Sequence, residues 1–435
     1  MSGAPVRLGL TGPSGPLDAT ATPPGSKSET NRALVCAALA EGTSTLRRAL
    51  RADDTEAMVS CLRQLGVVIT RTDEALVVEG CAGTLRPTGT PLDARLSGTT
   101  ARFLAPVVAL GPGSVELTGD DGLRARPMGD LVEALRTIGA GVEELADPGH
   151  LPLRFGSPPL RGGRVELPGD TSSQFLSGLL LAGPLMPAGL EVSTSTSLVS
   201  VPYVELTLDV MERFGAEVEG APATVLSVAR SGYRACDLDI EADASAASYF
   251  MAAPVLAGGR VRVAGVGSAS RQGDAVFAEI LRTMGAVVTQ GSDWTEVAGR
   301  DLVGVDVDLR DASDIAQTLA VVAAVARGRT RVRGIGFIRA KETDRISAVV
   351  RELRRVGVDA VEDEDGFTVE GGRPHGAVVR TYGDHRMAMS FALLSLCTPG
   401  IVIEDPDCVD KTYPDYFSDL ASLVGAGPPS TTSAP

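Results

Sequence analysis

One segment type recurs six times at nearly constant spacing, and this constrains the fold more than any other feature. The runs "NRALVCAALAEG", "ARFLAPVVALGPG", "QFLSGLLLAGPLMPAG", "ASYFMAAPVLAGG", "AQTLAVVAAVARG" and "RMAMSFALLSLCTPG" close on Gly42, Gly113, Gly189, Gly259, Gly328 and Gly400. The intervals between these glycines are 71, 76, 70, 69 and 72 residues. A β-like run follows, as at Ser114–Gly119, Arg260–Val266 and Ile401–Asp405. A second helix comes next, ending at a turn glycine: Gly66, Gly139, Gly215, Gly285 and Gly357. Its apolar residues recur every three or four positions, so one face is buried and the other wet. The first helix is apolar nearly all round and must lie inside. Each unit therefore reads as buried helix, strand, surface helix and further strand.

A period of about 70 residues is too long for most solenoids, so a packed helix–sheet unit is the simpler reading. Six units divide three and three into two similar globular halves. The chain is predicted to be α/β (α+β), and its 435 residues suit two to three domains at about 150 residues each. Residues 426–435, "AGPPSTTSAP", lack periodicity and are expected to form a disordered tail.

The net charge of −15 argues against a general nucleic-acid or anionic-membrane surface. Anion binding must come from local clusters instead. No secretory signal is legible at the start, and runs such as Ala316–Ala326 and Gln174–Leu185 are too short to span a bilayer. Six scattered cysteines without a C-x-x-C pair read as free thiols in a reducing, cytoplasmic setting. Three histidines without an H-E-x-x-H pattern make a metal site unexpected.

The polar residues collect just before the buried helices. They are Lys27, Ser28 and Arg32; Ser97, Gly98, Thr99 and Arg102; Ser172, Ser173 and Gln174; Asp243 and Ser245; Asp314 and Gln317; Asp384, His385 and Arg386. Helix N-termini present free N–H groups and a dipole that favours anions. Ser, Thr and Asp there are also what ordinary capping requires, and Ser26 with Glu29 makes a capping-box pattern. Capping does not explain Lys27, Arg32, Arg102 and Arg386, because cations at these positions oppose the dipole. Their placement predicts an anionic ligand. "PGSKS" is not a phosphate-binding P-loop, since position 26 is Ser where that motif needs Gly. Loop charges add Arg124 and Arg126, Arg339, Lys341, Glu342 and Arg345, and Lys411. Taken singly, each also fits a solvated surface charge, and "AKETDR" fits a structural ion-pair network.

Together, "PGSKSETNRAL", "SGTTARFL", "RARPMGDLVEAL", "DTSSQFLSGLLL", "LVSVPYVELTL", "IRAKETDRI", "YGDHRMAMS" and "DKTYPDYF" resemble the 5-enolpyruvylshikimate-3-phosphate synthase family. The motifs occur in the family's order, over about Pro23 to Leu423. The resemblance implies an enolpyruvyl transferase-like inverse α/β barrel in two domains. One half would span 25–239 and carry most shikimate-3-phosphate contacts; 1–24 with 240–425 would form the other and carry acid/base residues and phosphoenolpyruvate clamps. It implies that the halves close around the substrates. The implied reaction moves the enolpyruvyl group of phosphoenolpyruvate to the 5-hydroxyl of shikimate-3-phosphate and releases phosphate. No metal or organic cofactor is implied, and a monomer is the family default.

By family match, Asp314 and Glu342 are the principal acid/base candidates, assisted by Lys27, Lys341 and His385. Lys27, Arg126, Arg345, Arg386 and Lys411 match phosphoenolpyruvate clamps, with Gly98 and Gln174 close by. Ser28, Arg32, Ser172, Ser173, Gln174, Ser200, Tyr203, Asp314 and Lys341 match shikimate-3-phosphate contacts, and Thr99 and Arg102 follow Gly98. Two positions depart from the pattern: Leu96 stands where many members carry Asn, and Phe337 where some place a substrate-binding Asn. A related family, UDP-N-acetylglucosamine enolpyruvyl transferase, carries a reactive Cys before its "ARP", whereas no Cys lies between Cys81 and Cys236 here. A paralogue using another shikimate-like acceptor, or a non-catalytic binder of anionic metabolites, are the alternatives.

Overall fold

Each of the six apolar runs folds as a helix with a polar first turn and a buried body. The structure is a computed structural model that describes residues 6–111, 113–299 and 301–427 and the backbone of 431–433. We label the buried helices α1 (Lys27–Leu39), α3 (Gly98–Ala109), α5 (Ser173–Ala182), α7 (Ala244–Ala257), α9 (Ala316–Ala323) and α11 (His385–Ala392). The amphipathic helices that alternate with them are α2 (Asp53–Gln64), α4 (Gly129–Thr137), α6 (Val201–Arg213), α8 (Phe277–Met284), α10 (Arg345–Arg355) and α12 (Tyr416–Leu423). The five turn glycines after the second helices have φ between 80° and 111°, the left-handed backbone that ends helices and favours Gly.

The chain divides into two compact units: a central one, Gly25–Glu241, and a split one, Met1–Pro24 with Ala242–Pro435. Each has its own apolar core, built on α1, α3 and α5 in the central unit and on α7, α9 and α11 in the split unit. In the central unit α5 packs tightly on α3. A Cβ at Gly178 would lie 2.3 Å from the Arg102 carbonyl oxygen, so only glycine allows this approach.

Among the described residues, six four-stranded sheets accompany the helices. The expected single strand after each buried helix is present, for example Val115–Thr118, Gly259–Ala264 and Val402–Glu404. The sheets are richer than the repeat reading predicted. A strand before a buried helix pairs in parallel with the strand after it, as Gly163–Leu167 does with Leu190–Thr194 around α5. A hairpin then adds two antiparallel strands. Some of the extra strands, such as Leu92–Asp93 and Leu238–Asp239, are two residues long, too short to show the alternation that marks a strand.

The units are closed by strands from distant sequence. Leu238–Asp239 pairs in parallel with Thr43–Arg47 of the first repeat. In the split unit Leu17–Ala21 pairs with Gly259–Ala264, and Val6–Gly9 with Val402–Glu404. The expected disordered tail needs correction at one point: Thr431–Ser433 pairs antiparallel with Val6–Leu8. The outer edge of Val6–Gly9 supplies the backbone groups for this pairing. Residues 428–430 and 434–435 of that tail lie outside the described residues.

Candidate active site

In the central unit, Ser26 caps α1, its Oγ accepting the Glu29 N–H at 3.3 Å. The capping box is half made. The Glu29 carboxylate turns instead to the Glu241 N–H at 2.7 Å, while the Ser26 N–H donates to the Glu241 carbonyl at 2.7 Å. Burial raises the Glu29 pKa, opposed by that N–H and by Arg213. The Lys27 ammonium lies 3.2 Å from Asp54 Oδ2, so a carboxylate on α2 offsets part of the charge that the sequence left unexplained.

Arg32 is 2% exposed and ties three helices together. Its Nε donates to Thr207 Oγ1 at 2.7 Å, Nη1 to the Ser28 carbonyl at 2.9 Å, and Nη2 to the Tyr203 carbonyl at 2.8 Å and Ser177 Oγ at 3.4 Å. The Phe103 ring lies beneath the guanidinium at 5.0 Å. These acceptors are neutral. Burial pushes the Arg32 pKa down to about 10, which leaves it cationic at neutral pH.

Gln174 links the first turns of α5 and α3, accepting from Arg102 Nη1 at 2.9 Å and donating to Thr99 Oγ1 at 3.1 Å. Ser172 Oγ caps α5 through the Gln174 N–H at 3.3 Å, and Ser173 is buried in the same turn. Arg126 is buried against the start of α3. A Cβ at Gly98 would lie 2.9 Å from its Nη1. Ser200, in the left-handed region at φ 55°, opens α6, and its carbonyl accepts the Tyr203 N–H. The predicted residues of this unit thus gather around the first turns of α1, α3, α5 and α6. Arg124 does not join them: it is half exposed and donates to Thr118.

The split unit builds a charge cluster. Asp314 precedes α9 in a single 3-10 turn, Ser313–Ile315. Its Oδ1 lies 2.8 Å from Lys341 Nζ and 3.2 Å from Arg345 Nη1, and its Oδ2 lies 2.7 Å from Arg386 Nη2. Burial raises the Asp314 pKa, but Arg386, Lys341 and Arg345 outweigh it and hold the carboxyl well below its usual range. Arg345, 2% exposed, also meets Glu342 Oε2 at 2.7 Å and Asp384 Oδ2 at 2.7 Å. Burial alone would lower its pKa; Asp384, Glu342 and Asp314 reverse the sign and raise it. Lys341 is lowered, burial outweighing the attraction of Asp314.

Asp384 caps α11 through the Arg386 N–H at 2.8 Å. His385 is 1% exposed, its Nδ1 3.6 Å from Asp384 Oδ1. Lys411 is buried at the end of the turn Pro406–Lys411, which packs on α11. Phe337, the departure noted in the sequence, places its ring 5.6 Å from Lys341 Nζ, within cation–π range. Arg339 stands apart, paired with Asp344 and Glu362.

Several partners were missed in the sequence: Asp54 for Lys27, Thr207 and Ser177 for Arg32, and Asp384 as the bidentate partner of Arg345. Asp54 stands just before its unit's turn glycine by the same interval as Arg345, 12 residues from Gly66 and from Gly357, so aligning the repeats would have exposed it. Among the described residues, no group of three or more His, Cys, Asp and Glu could hold a metal ion. No helix there is long and apolar enough to cross a membrane.

Buried cations at helix N-termini, interleaved with carboxylates, have the chemistry that small polyanions require. Comparison with known proteins makes the class specific. The family model of EPSP synthase (3-phosphoshikimate 1-carboxyvinyltransferase) matches residues 11–420. The 3-phosphoshikimate 1-carboxyvinyltransferase of Trichormus variabilis is 43% identical over 414 residues, covering 94% of this chain and 97% of that protein. The one from Shewanella piezotolerans is 42% identical over 415 residues, with the same coverage. A solved structure of EPSP synthase from Acinetobacter baumannii superposes with a TM-score of 0.82 at 27% identity, covering 98% of this chain and all of that one. The chain belongs to the EPSP synthase family.

Proposed function

We propose that this chain is a 3-phosphoshikimate 1-carboxyvinyltransferase of the shikimate pathway. It transfers the enolpyruvyl group of phosphoenolpyruvate to the 5-hydroxyl of shikimate-3-phosphate and releases phosphate. Family membership over residues 11–420 supports the reaction. The observation that best supports a working catalyst is Asp314, held by Lys341, Arg345 and Arg386 beside Glu342. A binder of anions has no use for carboxylates that compete with its ligand.

The addition step joins the acceptor oxygen to C2 of phosphoenolpyruvate, places a proton on C3 and takes one from the hydroxyl. Elimination then breaks the C2–phosphate oxygen bond and removes a proton from C3, restoring the double bond. Both steps need an acid and a base in reach. In the free chain three cations keep Asp314 ionised and weakly basic. An incoming phosphate and carboxylate compete for Arg345 and Arg386, and loss of those partners raises the basicity of Asp314. Asp314 then takes the hydroxyl proton, with Lys341 fixing its orientation. Glu342 serves the C3 proton, assisted by Lys27 and His385. Arg126, Arg345, Arg386 and Lys411, with Gly98, hold phosphoenolpyruvate and stabilise charge in the intermediate.

Arg32 serves the acceptor's phosphate. The oxygens it donates to are neutral, so an anion adds a charged partner without displacing a hydrogen-bonded carboxylate. Ser28, Thr99, Ser172, Ser173, Gln174, Ser200 and Tyr203 line the same helix ends and complete the acceptor contacts. The central unit is thus the acceptor-binding half and the split unit the acid/base half. The enzyme works as a cytoplasmic monomer.

The test is phosphate release by the purified protein. Release is expected only when phosphoenolpyruvate and shikimate-3-phosphate are both present. Release with a different shikimate-like acceptor, and none with shikimate-3-phosphate, would refute the acceptor assignment.

A further inference from the structure

One buried carboxylate of the split unit has no task in the reaction above. Asp274 is 2% exposed and lies in the turn Gly273–Val276 that leads into α8. Ser245, in the first turn of α7, donates its hydroxyl proton to Asp274 Oδ2. The same Ser245 oxygen lies 3.5 Å from Arg386 Nη2, which meets Asp314 Oδ2 at 2.7 Å. A chain of contacts therefore runs from Asp274 through Ser245 and Arg386 to Asp314.

The repeat architecture gives Asp274 a position shared with site residues. Asp54, Arg126, Tyr203, Asp274 and Arg345 precede the turn glycines Gly66, Gly139, Gly215, Gly285 and Gly357 by 12, 13, 12, 11 and 12 residues. In four of the other five repeats this residue touches a first-turn group of a buried helix or the cation anchored there. Asp54 meets Lys27, Arg126 lies on Gly98, the Tyr203 carbonyl accepts from Arg32, and Arg345 meets Asp314. The preceding residues of the same turn hold α7 as well: Gln272 accepts the Ala244 N–H at 3.1 Å and donates to the Ala242 carbonyl at 2.7 Å.

We infer that Asp274 is a positioning residue that acts through Ser245 on Arg386. A hydroxyl carries one proton and two lone pairs. With the Ser245 proton committed to Asp274, a lone pair is left for the Arg386 guanidinium. Arg386 then has a neutral anchor on one side and Asp314 on the other, which holds its fork steady when phosphoenolpyruvate competes for it. Without Asp274 the hydroxyl rotates freely and can turn its proton toward the cation. The inference rests on the proposed role of Arg386 as a phosphoenolpyruvate clamp.

Asp274→Ala, Asp274→Asn, Ser245→Ala and the double alanine variant test it, with ligand affinities measured by calorimetry and turnover by phosphate release. Asp274→Ala and Ser245→Ala are each expected to weaken phosphoenolpyruvate binding about fivefold, as for loss of one ordinary hydrogen bond. The double variant is expected to be no weaker than either single one, since both act on one link. Asp274→Asn retains an acceptor oxygen and is expected to restore affinity to within about twofold of wild type. Shikimate-3-phosphate affinity should not change. Additive losses, equal losses for both ligands, or unchanged phosphoenolpyruvate affinity would each overturn the inference. Calorimetry needs no turnover, so a wild-type protein that binds phosphoenolpyruvate but releases no phosphate would count against the reaction alone. A wild-type protein that binds none would overturn both.

Discussion

Arg345→Met gives the sharpest test of the charge cluster, because one buried side chain there serves three carboxylates. Arg345 meets Asp384 with Nε and Nη2, Asp314 with Nη1 and Glu342 with Nη2, at 2.7 to 3.4 Å. Asp384 is fully buried, and the Asp314 and Glu342 side chains are 17% and 14% exposed. Methionine replaces the volume but leaves these carboxylates short of a cation in a desolvated site. Breaking a buried pair in this way costs about 3–5 kcal/mol, a large part of a domain's stability.

The loss must depend on pH, with a definite sign. In the wild type, Arg345 helps hold the folded-state pKa of Asp314 below its unfolded value. Stability from such a group is present above the unfolded carboxylate pKa of about 4 and is lost as pH falls through the folded one. In the variant, Asp314 loses one of the three cations that offset its burial, so its folded-state pKa moves up. The penalty is then full at neutral pH and relieved as pH falls and the carboxylates protonate. The difference between wild type and variant should be about 3–5 kcal/mol at pH 7.5 and shrink below about pH 5. The sequence holds a single tryptophan, Trp294, which lies in the split unit. Its fluorescence in urea reports that unit's unfolding, which avoids treating both units as one transition. A difference below about 1 kcal/mol at pH 7.5, or one that does not shrink between about pH 5 and pH 4, would refute a desolvated cluster organised by Arg345.

Other substitutions test the remaining parts of the site. Gly98→Ala puts a methyl 2.9 Å from Arg126 Nη1, and should raise the KM for phosphoenolpyruvate about tenfold by displacing that guanidinium, with the shikimate-3-phosphate KM within about twofold; steady-state kinetics in each substrate decides this. Arg32→Lys keeps the charge but cannot fork to Thr207, Ser177 and two carbonyls, and should lower kcat/KM for shikimate-3-phosphate by at least about tenfold; an unchanged value would remove Arg32 from the acceptor site. Asp314→Asn should cut kcat by about 10²–10⁴, the usual range for general acid–base groups, while calorimetry still detects both ligands.

The six buried helices were legible because an all-apolar run of ten or more residues has few other soluble folds. Their polar first turns were legible for the same reason: a cation there has no local cause. Less legible were the partners of these cations. Arg32 reaches Thr207 across 175 positions and Arg386 reaches Asp314 across 72, and neither periodicity nor composition carries such pairings. The short edge strands and the closing strands from Val6–Gly9 and Leu238–Asp239 were missed as well. Two to four residues give no pattern, and their pairing is fixed by a sheet edge formed elsewhere in the sequence.

The architecture itself explains why the chemistry sits where it does. A helix buried on all sides cannot carry charge along its body without stranding it, so the first turn is the place for polar side chains. The dipole and free N–H groups add a reason for anions to come there. The residue that leads into each surface helix is then delivered to that same end, as Asp54, Arg126 and Arg345 demonstrate. Repetition supplies the location, and local sequence supplies the sign. In the central unit the acceptors of Arg32 are neutral, so under the proposed mechanism an anion would meet its charge directly. In the split unit Arg345 and Arg386 are already held by carboxylates, so under the proposed mechanism an anion would bind there by exchange. Such an exchange would serve a reaction rather than storage: an anion that took the cations would leave Asp314 more basic than before.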